Sequence, residues 1–145
     1  MSKVLFYNGL VYKEHKFQRL NVLAEDGKIT HIGEWISDPE AERVDLKGRR
    51  LVPGFLDIHT HGAAGVDVNS ADTEGYEKIC RFMASQGTTG WLGSVLTDTK
   101  EQTMACIEAY KDWKAEKGIK HNGAVMMGIH LEGPFLCSDY KGAMP

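Results

Sequence analysis

Pro53-Gly54-Phe55-Leu56-Asp57-Ile58-His59-Thr60-His61-Gly62 is the stretch on which the reading of the fold turns. Phe55 to His59 is a short apolar run that follows a Pro-Gly break and reads as a strand. Side chains alternate along a strand, so His59 and His61 project the same way and are close enough to hold one divalent cation. Neutral imidazole is a good ligand for zinc, iron or nickel. The C-terminal end of a parallel strand is also where α/β folds place their ligands. A bare His-x-His is common by chance, and two polar residues at a strand end facing solvent would look the same. The weight comes from the context, Pro-Gly-Phe-Leu-Asp before and a glycine-rich loop after. That loop, Gly62-Ala63-Ala64-Gly65, fits both a sharp turn against a ligand and a plain flexible connection.

Downstream, elements alternate. Asp72 or Thr73 can cap a helix with Tyr76, Ile79, Cys80 and Met83 on one face, and Gly87 is placed to end it. Thr88 to Leu96 is rich in β-formers. Thr99-Lys100-Glu101-Gln102 has capping-box spacing and opens a helix carrying Thr103, Cys106, Ile107, Tyr110 and Trp113 on one face, stopping at Gly118. Ala124 to Ile129 is another apolar strand. Strand, helix, strand, helix, strand predicts an α/β fold with a parallel sheet covered on both faces.

The last strand runs into Gly128-Ile129-His130-Leu131-Glu132-Gly133-Pro134-Phe135. An unpaired carboxylate is costly to bury, so Glu132 at the end of an apolar strand needs a cation or hydrogen-bond donors nearby. A metal at the His59 strand would meet that need; a Glu capping a neighbouring helix is the plainer alternative. His130 and Glu132 share a face, and Gly133-Pro134 breaks the strand. His121 reads as a loop residue.

Upstream of Pro53 the chain reads as a small antiparallel β unit. Val4 to Tyr7 and Leu10 to Tyr12 flank Asn8-Gly9, a tight-turn dipeptide. Asn21 to Ala24 and Lys28 to Ile32 flank Asp26-Gly27. A third pair flanks Lys47-Gly48. His15 and His31 are expected on the surface or on a strand face. The domains predicted are therefore 1–52, part of a small β domain, and 53–145, the strands and helices of the α/β part.

Bulk properties narrow the function. The 145 residues are 42% hydrophobic and 26% charged, enough for a core and too apolar for disorder. A net charge of −3 argues against nucleic acid as the main partner, and the cluster Lys47, Arg49, Arg50 is explained by a solvated turn. No N-terminal apolar signal and no membrane-length apolar run is present. Cys80, Cys106 and Cys137 are odd in number and lack Cys-x-x-Cys spacing, so two buried helical thiols, one loop thiol and a cytoplasmic setting are expected.

Together, Pro53 to Gly62, Gly87-Thr88-Thr89, Gly128 to Phe135 and Lys141-Gly142-Ala143 resemble the N-acetylglucosamine-6-phosphate deacetylase family of the amidohydrolase superfamily. The Pro-Gly-x-x-Asp-x-His-x-His pattern is shared across the superfamily; the His-Leu-Glu-Gly-Pro-Phe string is far more particular to these deacetylases. The resemblance covers the whole chain, weakest in the β unit. It implies the first part of a (β/α)8 barrel, about three βα units, behind the small β domain. It implies metal-dependent hydrolysis of the acetamide of N-acetylglucosamine 6-phosphate to acetate and glucosamine 6-phosphate. Glu132 falls on the family's metal-ligand glutamate, and His59 and His61 on a second metal position that only some members keep. Retaining all three implies one or two divalent ions, zinc or iron first. Ala143 and Met144 fall on substrate-binding positions. Where the family usually has a histidine facing the substrate, this chain has Met144, which cannot donate a hydrogen bond or carry charge.

The resemblance further implies that the other metal histidines, the catalytic aspartate and the phosphate-binding residues lie beyond Pro145. A barrel of this kind takes about 250 residues, so the chain is expected to be an N-terminal piece, inactive by itself and without a catalytic residue of its own. A homodimer, or association through an exposed sheet edge, is expected. The alternatives are another amidohydrolase, such as an N-acetylgalactosamine-6-phosphate deacetylase or a dihydroorotase-like enzyme, and a non-catalytic metal-binding α/β module.

Overall fold

The computed structural model describes residues 2–118, 122–142 and 144. The chain divides into two compact units, Met1–Pro53 and Gly54–Pro145.

In the first unit, β1 (Lys3–Lys13), β2 (Lys16–Glu25) and β3 (Lys28–Gly33) pair antiparallel, and β4 (Glu42–Asp45) and β5 (Arg50–Leu51) both run parallel to β1. Leu5, Val11, Val22 and Ala41 are buried there. The Asp26-Gly27 turn forms as the sequence predicts, with φ of 48° and 79°. Two other expectations need correction. Asn8-Gly9 is not a turn: only Asn8 takes a positive φ, 56°, and β1 continues through it as a bulge. The hairpin turn falls instead at Glu14-His15, where φ is 52° and 62°. Nor does Lys47-Gly48 join an antiparallel pair. It loops out between β4 and β5 and lies over the bulge, where Gly48 N–H donates to Asn8 O at 2.7 Å. The sheet is thus mixed rather than antiparallel throughout.

In the second unit, β6 (Phe55–Thr60), β9 (Thr88–Leu96) and β10 (Val125–Glu132) form a parallel sheet in the order β10-β9-β6. Between β6 and β9 lie the two-residue strands β7 (Gly62–Ala63) and β8 (Val66–Asp67), a 3-10 turn at Val68–Ser70 and α1 (Thr73–Ser85). Helix α2 (Lys100–Glu116) links β9 to β10. The caps act as expected: Asp72 accepts from Gly75 N–H at 2.8 Å and Thr99 Oγ1 accepts from Gln102 N–H at 3.1 Å. The second arm of the capping box is absent, because the Gln102 amide donates to Asn69 O. Gly87, with φ of 83°, follows α1 and lets the chain turn into β9.

Tyr76, Ile79, Cys80 and Met83 of α1 and Cys106 and Trp113 of α2 pack on Trp91, Val95 and Met126 of the sheet. The helices cover only this face. Phe55, Leu56 and Ile58 of β6 are 63%, 64% and 67% exposed, which corrects the expectation of a sheet buried on both faces. The reason is that α1 and α2 join to the core side, so the opposite face meets solvent within this unit. No described helix is long and apolar enough to cross a membrane.

Cys80 and Cys106 are buried and Cys137 is exposed. Burial pushes the Cys80 thiol up to about 11 and raises Cys106 as well. Thiolate is the reactive form, so iodoacetamide at about pH 8 is expected to modify Cys137 alone until denaturant is added, read by peptide mass spectrometry. Equal labelling of Cys80 in the folded protein would contradict this packing.

Candidate metal centre

The site lies at the C-terminal ends of β6 and β10, on the sheet face opposite the helices. Strand β9 runs between those two strands, so groups from β6 and β10 must reach across two strand spacings of about 4.8 Å each. Long side chains on the outer strands and a small one, Ser94, on the middle strand make that possible.

Each donor is aimed by a local irregularity. In β6, Asp57 Oδ1 accepts from His59 N–H at 3.0 Å, and the register slips between Asp57 and Thr60. This bulge delivers His59 and then His61 to the site. In β10 the register slips between Met126 and Gly128. Met126 therefore packs into the helical core while His130 and Glu132 come to the other face. Tyr110 OH donates to Met127 O at 3.2 Å, giving the bulge carbonyl a partner. Beyond β10, Thr97 Oγ1 donates to Glu132 O at 2.7 Å and fixes the backbone that carries the carboxylate. Gly133, with φ of 108°, passes so close to Thr97 Oγ1 that a Cβ would not fit.

His59, His61 and Glu132 meet. His59 Nε2 lies 3.1 Å and His61 Nε2 3.0 Å from the same oxygen, Glu132 Oε2. One donor atom from each residue lies within 4.8 Å of the other two. His61 Nδ1–H donates to Ser94 O at 3.0 Å, since a carbonyl can only accept. That commits the proton of a neutral His61 to Nδ1 and leaves the Nε2 lone pair facing a carboxylate oxygen. Two lone pairs at this distance repel unless positive charge lies between them. Either protons or a metal ion can supply it. The donor set suits a metal: a tetrahedral ion with bonds near 2.0–2.1 Å holds its ligand atoms about 3.3 Å apart. The Nδ1 bond to a backbone carbonyl is also what orients a metal-binding imidazole.

The remaining sequence candidates stand as follows. Met144 is buried and lines, with His61, Leu96, Glu132, Tyr140, Lys141 and Gly142, a cavity of about 380 Å³ beside the donors. Ala143 and His121 lie outside the described residues. His15 and His31 are exposed in the other unit. Ser94, whose carbonyl and hydroxyl both serve histidines, is not evident as a site residue from the sequence. Its only signal is a hydroxyl within the apolar run 91–96.

No protein-family model matches the chain. Among curated proteins it is 30% identical over 128 residues to the N-acetylglucosamine-6-phosphate deacetylase of Lysinibacillus sphaericus, covering 88% of this chain and 32% of that protein. It is 31% identical over 122 residues to the Bacillus subtilis (strain 168) deacetylase of the same name, covering 83% and 31%. The chain thus spans about a third of the length of the curated relatives it matches. The crystal structure of the Pasteurella multocida deacetylase matches 99% of this chain and 37% of that chain at a TM-score of 0.82 and 22% identity, which shows the fold. A D-hydantoinase crystal structure matches 94% of this chain and 28% of its own at a TM-score of 0.63 and 26% identity. The chain is homologous to the N-terminal portion of the N-acetylglucosamine-6-phosphate deacetylase family, in the amidohydrolase superfamily.

The loop between His61 and Val68 leaves no room for a side chain at Gly62, where φ is 139° and a Cβ would run into Val66 O. Gly62→Ala is expected to cost about 2 kcal/mol or more in urea denaturation, from strain and forced displacement of the loop. Unchanged stability would show that this loop is looser than its geometry implies.

Proposed function

We propose that His59, His61 and Glu132 hold a divalent cation, zinc or iron first, in a protein that hydrolyses the acetamide of an amino-sugar phosphate, N-acetylglucosamine 6-phosphate before others. The observation that carries this reading is the convergence of both Nε2 atoms on one carboxylate oxygen at 3.0 and 3.1 Å. A divalent cation there supplies Lewis acidity, which acidifies water and polarises an amide carbonyl. The residues do the rest. The Ser94 carbonyl holds His61 in the tautomer that presents Nε2. Leu96 and Met144 give the adjoining cavity an apolar wall that limits water, and the exposed Tyr140 and Lys141 border it on the solvent side. Overall, a C–O bond forms from water, the amide C–N bond breaks, and the amine leaves with a proton.

The same reading extends to fold and setting. We take the three parallel strands as the first of a (β/α)8 barrel, because closure would cover the exposed apolar face of β6. The substrate-binding positions are Ala143 and Met144. Three free thiols fit a reducing compartment such as the cytoplasm. An N-acetylgalactosamine 6-phosphate substrate is the second reading. It is favoured by one observation: Met144, buried in the cavity wall, brings a thioether where a polar group would discriminate between sugar epimers.

Acetate release from the two N-acetylamino-sugar phosphates, measured on the full-length protein loaded with zinc or iron, tests both. Hydrolysis of the glucosamine compound is expected to dominate, and Glu132→Gln is expected to lower kcat/KM by at least about a hundredfold, as loss of a charged ligand does. Dominant hydrolysis of the galactosamine compound would select the second reading. Metal-loaded protein that hydrolyses neither would overturn the assignment.

A further inference from the structure

A third imidazole stands beside the three converging donors and takes no part in their meeting. His130 lies two residues before Glu132 on β10 and faces the same way. Its ring meets that of His59 edge-on, with centroids 4.9 Å apart and planes at 67°. Its Nδ1 shares a hydrogen bond of 3.0 Å with Ser94 Oγ. Ser94 is fully buried, and it pairs in register with His130 across the β9–β10 ladder. A buried hydroxyl keeps a partner wherever it can, so this bond is maintained by the cost of breaking it.

The two site histidines are held differently. His61 is tied through Nδ1 to the Ser94 carbonyl. The polar contact of the His59 ring is with Glu132, at 3.1 Å, and half of the His59 side chain is exposed. The His61 ring also meets the His59 ring edge-on, with centroids 5.1 Å apart and planes at 76°. A half-exposed side chain hydrogen-bonded only at its tip still keeps rotamer freedom, which must be given up when it coordinates. The ring edge of His130 limits that freedom from the β10 side, and Ser94 Oγ keeps His130 from turning away.

We propose that Ser94 and His130 are a positioning pair for the cation site, in which the Ser94 hydroxyl fixes His130 and His130 fixes the His59 ring. Ser94 then serves both imidazoles of the donor set: His61 directly through its carbonyl, His59 through His130. Neither residue of the pair contributes a donor atom to the cation. The inference rests on the metal reading above and adds to it two residues outside the donor set.

The test uses Co(II) as the probe in the full-length protein, with affinity from competition with a chelating dye and geometry from visible absorption. Ser94→Ala and His130→Ala are each expected to weaken Co(II) binding about tenfold, at the lower end of what loss of an orienting partner costs. Both should change the Co(II) spectrum in the same way. The double variant should be no weaker than about the worse single variant, because the two act in series. Ser94→Thr, which keeps the hydroxyl, is expected to restore binding. Singles that bind like the unaltered protein, or a double variant that loses the product of the two effects, would overturn the inference. Should Ser94→Ala fail to fold, His130→Ala decides alone, since His130 is only partly buried; unaltered affinity or an unaltered spectrum there would overturn the pair. A fall in melting temperature with no change in Co(II) affinity would also overturn it, by showing a purely structural bond. Failure of the metal reading looks different: the unaltered protein itself takes up no Co(II), and both claims fall together.

Discussion

Two imidazole nitrogens that lie 3.0 and 3.1 Å from one carboxylate oxygen make an arrangement that needs positive charge at its centre. The rest of the second unit can be understood as what that arrangement requires. The donors come from β6 and β10, which are not neighbours, and the strand between them must stay low. Ser94, with its short side chain, does so. A Cβ at Gly93 would press on Met126 on the helical face.

Rigidity comes from the opposite side of the sheet. Trp91 and Val95 alternate with Ser94 and face the helices, where Trp91 Nε1–H donates to Cys80 Sγ at 3.4 Å. The 3-10 turn is tied to the end of β9 by Asn69, whose Oδ1 accepts from Leu96 N–H at 2.8 Å. Val68 N–H, in the same turn, donates to His61 O at 2.8 Å. The residue following the strand is thereby held as firmly as the strand itself. Packing on one face thus defines the position of polar groups on the other, as a metal site built on strands requires.

Much of this was legible in the sequence, for local reasons. Asp26-Gly27, Asp72, Thr99 and Gly87 each carry a turn or cap signal that a few neighbouring residues decide. The face shared by His130 and Glu132 follows from strand alternation. Where reading failed, the deciding partner was distant in sequence. Asn8-Gly9 has the chemistry of a turn, yet β1 runs through it because β4 and β5 occupy its other edge. Glu14-His15 has no turn signal and turns because the strands on either side pair. The bulge at Met127, which separates Met126 from the site face, leaves no mark in an unbroken apolar run. Ser94 looked like any polar residue in a strand until His61 and His130 were seen on either side of it. The uncovered β6 face was hidden by the same logic, since an apolar strand does not say which element covers it.

The sequence relatives are deacetylases by name. The coordinates bring two histidines and a glutamate together around one carboxylate oxygen. Anomalous diffraction from crystals of the full-length protein grown with zinc tests this most directly. A zinc peak is expected about 2.0–2.2 Å from His59 Nε2, His61 Nε2 and a Glu132 carboxylate oxygen. A zinc-saturated crystal in which the peak lies elsewhere, with the histidines still hydrogen-bonded directly to Glu132, would contradict it.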